Sequence, residues 1–175
     1  RRITRQTGQV QTVSVNPDET EVVFLSDSGG HSNLWAARIA DGALRQVTRE
    51  SDPRIVVAVP HWSPRGDLIN FLSNHNTGTS EVTLWVVSPD GGVVRDLGVV
   101  GVGVCWSGDG EWLYYHTEEK GTYQIRKVPV AGGRPQVVRD ESAFACAGVH
   151  DGSALYYAKI LPNAAGGWDF EIRVA

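Results

Sequence analysis

The residues in this chain that could do chemistry are five histidines, two cysteines and the serines of its turn motifs. The histidines are His31, His61, His75, His116 and His150, and no two of them have the H-x-H or H-x-x-x-H spacing of metal ligands on one element. Separate repeats could still bring histidines to one channel, so the spacing alone leaves a metal site open. We expect no metal and no other cofactor.

The serine and glycine motifs do not match those of enzymes. Ser107 lies in "CWSGD", where cysteine replaces the first glycine of a nucleophile elbow. "GVGVCW" from Gly101 carries tryptophan where a dinucleotide fingerprint needs its third glycine. We therefore predict that the chain is not an enzyme, and that these glycines allow innermost strands to approach closely.

The two cysteines raise the question of a disulfide. Cys105 precedes Trp106 by one residue, and Cys146 precedes Val149 by three. If Trp106 and Val149 are equivalent, both cysteines face the same way, whereas neighbouring sheets meet through opposite faces. We expect two small buried hydrophobic residues rather than a disulfide, which would leave the redox compartment unassigned.

Composition excludes two classes of partner. The 175 residues include 16 basic and 20 acidic side chains, a net charge of -4, whereas nucleic-acid binding needs a basic surface. Apolar runs such as Ile55 to Val59 are far shorter than the roughly 20 residues of a membrane span. The chain begins with arginine and contains no methionine, which we interpret as a processed product or an excised piece.

A repeat of about 45 residues must position these side chains. Its copies are "VNPDETEVVF" from Val15, "WSPRGDLINF" from Trp62, "WSGDGEWLYY" from Trp106 and "VHDGSALYY" from Val149. In each, a turn signal precedes a short apolar run that reads as a buried strand, and a second turn such as "ADG" or "PDGG" follows. The fourth copy lacks the tryptophan and, in this alignment, one residue. Four short antiparallel strands at this period predict β-propeller blades.

The combined pattern "R-x-[IVL]-T … W-S-P-x-G-x-x-I-x-F-x-S … L-W-x-x-x-x-D-G", in residues 1–48 and 45–92, resembles the TolB-type propeller repeat, which is similar to WD repeats. The resemblance implies an all-β fold and a non-enzymatic module that binds protein or peptide partners. It also favours a periplasmic or other extracytoplasmic location. The alternative is the gating propeller of a prolyl-oligopeptidase-like hydrolase whose catalytic domain lies outside this chain.

The phase of the repeat gives the expected boundaries. We expect about four blades, three complete and one split across the termini, within a single propeller domain or fragment over residues 1–175. The ranges are an outer strand at 1–4, blades at 12–48, 57–98 and 102–139, and an incomplete blade at 144–175. The N-terminal strand could close a four-bladed ring. We favour a piece of a larger ring, because a repeat array needs covered ends, and two open arcs could self-associate.

Partner binding is predicted on the side of the variable polar loops, such as "SDSGGHSN", "SNHNTGTSE" and "TRESDPR". His75 and His116 are expected just after second strands, on this side. Four tryptophans at repeat-equivalent positions, Trp35, Trp62, Trp85 and Trp106, are predicted to be core. The predicted contact residues are His31, Asn74, His75, His116 and Trp168.

Overall fold

The computed structural model describes residues 2–5, 8–148 and 153–175, apart from the side chain of Ala145. Within these described residues, fifteen β-strands form four sheets, which confirms the predicted all-β, propeller-type fold. The chain divides into two compact units, residues 1–98 and 99–175, which are described separately below. His150 lies outside the described residues, and within them no helix is long and apolar enough to cross a membrane.

The first unit is built from two four-stranded sheets, each in chain order. The first sheet contains β1 (Val10–Val15), β2 (Glu21–Ser26), β3 (Asn33–Arg38) and β4 (Leu44–Gln46). The second contains β5 (Val57–Trp62), β6 (Ile69–Ser73), β7 (Thr83–Val87) and β8 (Val94–Val100).

The second unit contains one four-stranded and one three-stranded sheet. The four-stranded sheet comprises β9 (Val102–Trp106), β10 (Trp112–Glu119), β11 (Thr122–Pro129) and β12 (Gln136–Arg139). The three-stranded sheet comprises β13 (Ala143–Gly148), β14 (Leu155–Pro162) and β15 (Trp168–Val174).

The turn after each first strand forms as its residues dictate. Gly66 has φ +72°, which a residue with a Cβ rarely adopts, and its N–H donates to the Ser63 carbonyl at 3.0 Å. The Ser63 hydroxyl donates to Asp67 at 2.7 Å, which closes the turn. "SPRGD" is therefore a tight turn, as predicted.

A shift of the strand ladder recurs in the first strand of all four sheets, about three residues before the strand ends. Thr12, Val59 and Gly103 have φ of 47°, 52° and 62°, and the strand ladder slips beside each of them. The neighbouring Gly101 lies so close to the Tyr115 ring that a Cβ would come within 2.3 Å of it. The glycines of "GVGVCW" thus permit a bulge and a close approach.

The core of the first unit lies between its two sheets. Apolar residues of the first sheet, including Val23, Leu34 and Ala36, pack with Trp62 and Ile69 of the second. Of the four tryptophans predicted to be core, Trp62, Trp85 and Trp106 are buried and Trp35 is partly buried.

The N-terminal residues take the place of an outer strand without forming one. Residues 2–4 of the predicted strand 1–4 have no strand assignment. The carbonyl oxygen of Ile3 nevertheless lies 2.3 Å from where a Cβ on Gly42 would be, just as the Val47 oxygen lies 2.5 Å from that position on Gly91. Ile3 therefore stands against the first sheet as Val47 stands against the second.

The register of the fourth repeat corrects its alignment. Gly148 pairs with Leu155 as Trp106 pairs with Leu113 and Trp62 with Ile69, and the partners are seven positions apart in each case. The residue equivalent to Trp106 is thus Gly148, not Val149. The prediction that this copy lacks a residue was wrong, although the loss of the tryptophan stands.

The same correction overturns the expectation for the cysteines. Cys105 and Cys146 form a disulfide, with Cα atoms 5.9 Å apart. Relative to the corrected positions Trp106 and Gly148, Cys105 lies one residue before and Cys146 two before. Because side chains alternate along a strand, the two sulfurs then face each other across neighbouring sheets.

Candidate functional site

The loop side of the first unit carries two adjoining cavities, one on each side of His75. The larger, about 530 Å³, lies between the connection 52–56 and the β6–β7 loop at 74–80. The smaller, about 390 Å³, lies between residues 47–50 and the β6–β7 region, where Phe71 and Trp85 contribute aromatic surface. We refer to the two together as the His75 groove.

His75 is held in place by three contacts. Its Nδ1 lies 3.1 Å from Glu50 Oε1, and its ring meets Trp85 edge-on with centroids 5.8 Å apart. Its backbone N–H donates to the Ser73 hydroxyl at 3.2 Å. The side chain remains 47% exposed, so the imidazole is oriented and still accessible to a partner.

The Asn74 side chain is largely buried and bonded to the backbone. It is 8% exposed, and its amide bonds three backbone groups on two segments. The side-chain oxygen accepts from the Val56 N–H at 2.7 Å, and the nitrogen donates to the carbonyls of Arg54 and Thr79 at 3.1 and 2.9 Å. Asn74 therefore fixes the two walls of the larger cavity, and its side chain offers little to a ligand.

The outer wall of the larger cavity carries a charge pair. Asp52 accepts hydrogen bonds from the backbone and side chain of Arg54, and these bonds lower the pKa of the Asp52 carboxyl to about 2. His31 lowers the same pKa by a smaller electrostatic contribution. His31 lies in the β2–β3 loop and His75 in the β6–β7 loop, which are equivalent connections of the two sheets.

His116 is not in a loop. It lies inside β10, where it pairs with Ile125, and its ring meets Tyr123 and Phe144 edge-on at 6.0 and 6.1 Å. Burial lowers the pKa of this imidazole below its ordinary value. The expectation that His116 follows its strand was wrong, because β10 continues to Glu119.

Trp168 opens β15 and is 64% exposed, which makes it the exposed aromatic residue that the sequence suggested. Two residues further along β15, Phe170 meets Phe144 at 5.5 Å. His116 and Trp168 therefore lie in the second unit, while His31, Asn74 and His75 lie in the first.

Some groove residues were missed by sequence reasoning. Glu50 and Arg54 lie in the polar connection "TRESDPR", which composition marked as a loop without identifying individual side chains. Among the described residues, no group of three or more histidine, cysteine, aspartate or glutamate side chains could hold a metal ion. The groove can thus offer hydrogen bonds, an oriented imidazole and aromatic surface.

Sheets of four antiparallel strands at this period, with tight turns on one side and a groove among the loops on the other, define a segment of a TolB-like β-propeller. No protein-family model matches the chain. The Tol-Pal system protein TolB of Anaeromyxobacter dehalogenans is 35% identical over 81 residues, which is 46% of this chain and 17% of that protein.

Solved structures share the fold at lower identity. TolB from Acinetobacter baumannii matches with a TM-score of 0.73 and 15% identity, over 95% of this chain and 41% of that one. A prolyl endopeptidase matches with a TM-score of 0.65 and 15% identity, over 95% of this chain and 29% of that one. The chain thus spans less than half the length of each of these proteins.

Proposed function

We propose that this TolB-like propeller segment is a non-enzymatic binding module that takes a protein or peptide partner in the His75 groove. The observation that carries the proposal is the accessible His75 imidazole, held by Glu50 and Trp85 between two cavities. An extended peptide suits such a groove, because it can place successive side chains in the two cavities and hydrogen-bond to the rim between them. The likeness to a protein of the Tol-Pal system supports protein partners in general.

The test selects peptides instead of assuming a partner. A displayed peptide library is panned on the wild-type chain, and the enriched peptides are measured by fluorescence anisotropy against wild type and His75→Ala. We expect at least about a tenfold loss of affinity, since an anchor residue commonly contributes more than 1.4 kcal/mol. Arg65→Ala is the matched control, because Arg65 lies in a tight turn away from the groove and is exposed.

Two results would reject the proposal. One is a set of peptides that bind wild type and His75→Ala equally well. The other is a selection that enriches no peptide above the background of an unrelated protein. In the hydrolase alternative the catalytic domain lies in flanking sequence, so a downstream G-x-S-x-G followed by aspartate and histidine would favour it.

We further infer an extracytoplasmic location. The disulfide between Cys105 and Cys146 supports this, because such bonds persist in oxidising compartments and are rare in the cytosol. The measurement is the mass of the protein recovered from its native cells after immediate alkylation. Two alkylated cysteines before reduction would contradict the inferred location.

A further inference from the structure

The smaller cavity of the His75 groove is built from residues in the interior of the sequence. Its lining runs from Val47 to Val94, on two sheets of which all four strands are described. One wall is the segment 47–50, which follows β4, and the other is formed by the strands β6 to β8. The cavity therefore borders on neither end of the sequence.

The floor of this cavity is aromatic. Phe71 and Trp85 stack with their ring centroids 6.0 Å apart, and they are 3% and 7% exposed. The Trp85 indole N–H donates to the Thr83 hydroxyl at 2.9 Å, and that hydroxyl donates to the Ser73 carbonyl at 3.2 Å. The polar atom of the indole is thus bonded within the sheet, and its ring offers apolar surface. Such a surface suits the methylene groups of a long side chain.

The polar edge of the cavity accepts hydrogen bonds. Glu50 Oε1 lies 3.1 Å from His75 Nδ1, so the neutral imidazole carries its proton on Nδ1 and donates it to the carboxylate. Nε2 is then left as an acceptor. Glu50 also lines the cavity, and its side chain is 24% exposed. Both groups therefore select a ligand that donates hydrogen bonds.

The charges around the cavity favour a cation. The charged lining residues are Arg49 and Glu50, and a second carboxylate, that of Asp96, accepts a hydrogen bond from the lining residue Asn76 at 3.4 Å. Arg49 is exposed, so solvent and salt screen its charge, whereas Glu50 is three-quarters buried. The negative charge therefore acts more strongly inside the cavity than the positive one.

We propose that the smaller cavity holds a basic side chain, lysine or arginine, of the peptide that binds in the His75 groove. The stem of that side chain lies on Phe71 and Trp85, and its cationic head donates to Glu50 and to His75 Nε2. The adjoining larger cavity does not oppose this cation, because its own charges, Asp52 and Arg54, form an ion pair at 2.6 Å. The inference rests on the proposed function, and it names the residue type that the groove selects in its partner.

The peptides that panning enriches on the wild-type chain supply the probes. We expect a lysine or arginine at one fixed position in most of them. Each peptide is resynthesised with norleucine at that position, which keeps a methylene stem and removes the charge. Fluorescence anisotropy at pH 8, where a histidine is ordinarily neutral, should show at least about a tenfold loss of affinity for wild type, because the charge-assisted hydrogen bonds are gone.

Glu50→Gln tests the carboxylate that receives the cation. Glutamine keeps a side-chain oxygen that can accept from His75 Nδ1, so the imidazole stays oriented. The variant should bind basic peptides about tenfold more weakly and norleucine peptides as wild type does, which is the coupling expected of two groups in contact. Glu81→Gln is the matched control: it removes the same charge from the same loop, and Glu81 is exposed and is not among the residues that line either cavity.

The outcomes distinguish this inference from the proposed function. Peptides that need His75 but carry no basic residue would overturn the inference and leave peptide binding in the groove intact. Norleucine peptides that bind as tightly as their parents would do the same, and so would a folded Glu50→Gln variant that binds basic peptides like wild type. A selection without peptides, or peptides indifferent to His75→Ala, would reject the proposed function and this inference with it. Circular dichroism confirms the fold of each variant, and the norleucine comparison needs only the wild-type chain.

Discussion

Two pairs of neighbouring sheets are joined in different ways at equivalent positions. In the first unit, the Trp62 side chain fills the space between sheets, and the Trp62 backbone N–H donates to the Ser14 hydroxyl at 3.1 Å. In the second unit the counterpart of Ser14 is Cys105, and it is bonded to Cys146 of the next sheet. The residue one before the end of the first strand reaches the next sheet in both pairs, once by a hydrogen bond and once by a covalent bond.

The difference follows from the residue at the tryptophan position. Gly148 replaces tryptophan there, and a Cβ on it would lie 2.4 Å from the Trp106 carbonyl oxygen. The backbone of β13 thus lies directly against the end of β9, with no room for a large side chain between them. Where the large apolar side chain is missing, a disulfide supplies the link between sheets.

The largest effect on stability is expected from removing the Trp62 side chain. Trp62→Ala should lower the free energy of unfolding by about 3–5 kcal/mol, because it leaves a cavity between two packed sheets. Urea denaturation measures the loss. Trp168→Ala is the control with the same change of side chain at a 64% exposed position, and it should change stability by less than about 0.5 kcal/mol. Equal losses of unfolding free energy in the two variants would show that Trp62 does not hold the two sheets together.

The second-largest effect on stability is expected from removing the disulfide. The double variant Cys105→Ala with Cys146→Ala should lose about 3–4 kcal/mol, as expected for a crosslink between residues 41 apart in sequence. Reducing agent should destabilise wild type by a similar amount and leave the double variant unchanged. A wild-type protein that reacts with a thiol reagent without prior reduction would refute the disulfide.

Gly148→Ala tests the close approach between β13 and β9. The added methyl group meets a backbone oxygen that cannot rotate away, so we expect a loss of about 1–3 kcal/mol. Gly29→Ala is the control, because its Cβ would meet only the Trp35 ring at an ordinary 3.8 Å. If Gly148→Ala is as stable as Gly29→Ala, the two strands are not in close contact.

The smallest effect is a dependence on pH. Burial lowers the pKa of the His116 imidazole, so the unfolded chain takes up a proton more readily than the folded one. Stability should therefore decrease as pH falls through the unfolded value of about 6.5, and recover as pH rises above it. His61, whose pKa is also lowered by burial, should act in the same direction.

Substitution separates the two histidines. His116→Gln should reduce the slope of unfolding free energy against pH below neutrality, and adding His61→Gln should reduce it further. Chemical denaturation at a series of pH values gives the slope. A slope that is unchanged in the double variant would assign the pH dependence to other groups.

The fold was predictable because its signals are local. Proline and glycine fix the turns, and short apolar runs between them can form only buried strands at this period. The fourth repeat misled the alignment because its tryptophan is absent, and a shift of one residue reversed the faces of Cys146. Aligning the Asp-Gly pairs at 109–110 and 151–152 instead would have identified Gly148 as the equivalent position.

For the candidate site, the sequence indicated on which side of the sheets it lies, but not which residues form it. Loop composition identified the region of His31 and His75, but it could not show which polar side chains turn inward. Asn74 turns inward because the backbone of the connection needs partners for its N–H and carbonyl groups. His116 was misplaced because "YYHTEE" has no breaker residue to end the strand before Glu119.

The contact between Ile3 and Gly42 has a consequence for shortening the chain. In the second sheet the matching contact comes from Val47, which belongs to the segment after the preceding outer strand. Trimming the molecule at the start of β1 would therefore uncover the glycine turn of a sheet whose four strands are all retained. A truncated chain that is meant to keep this contact should start upstream of residue 3.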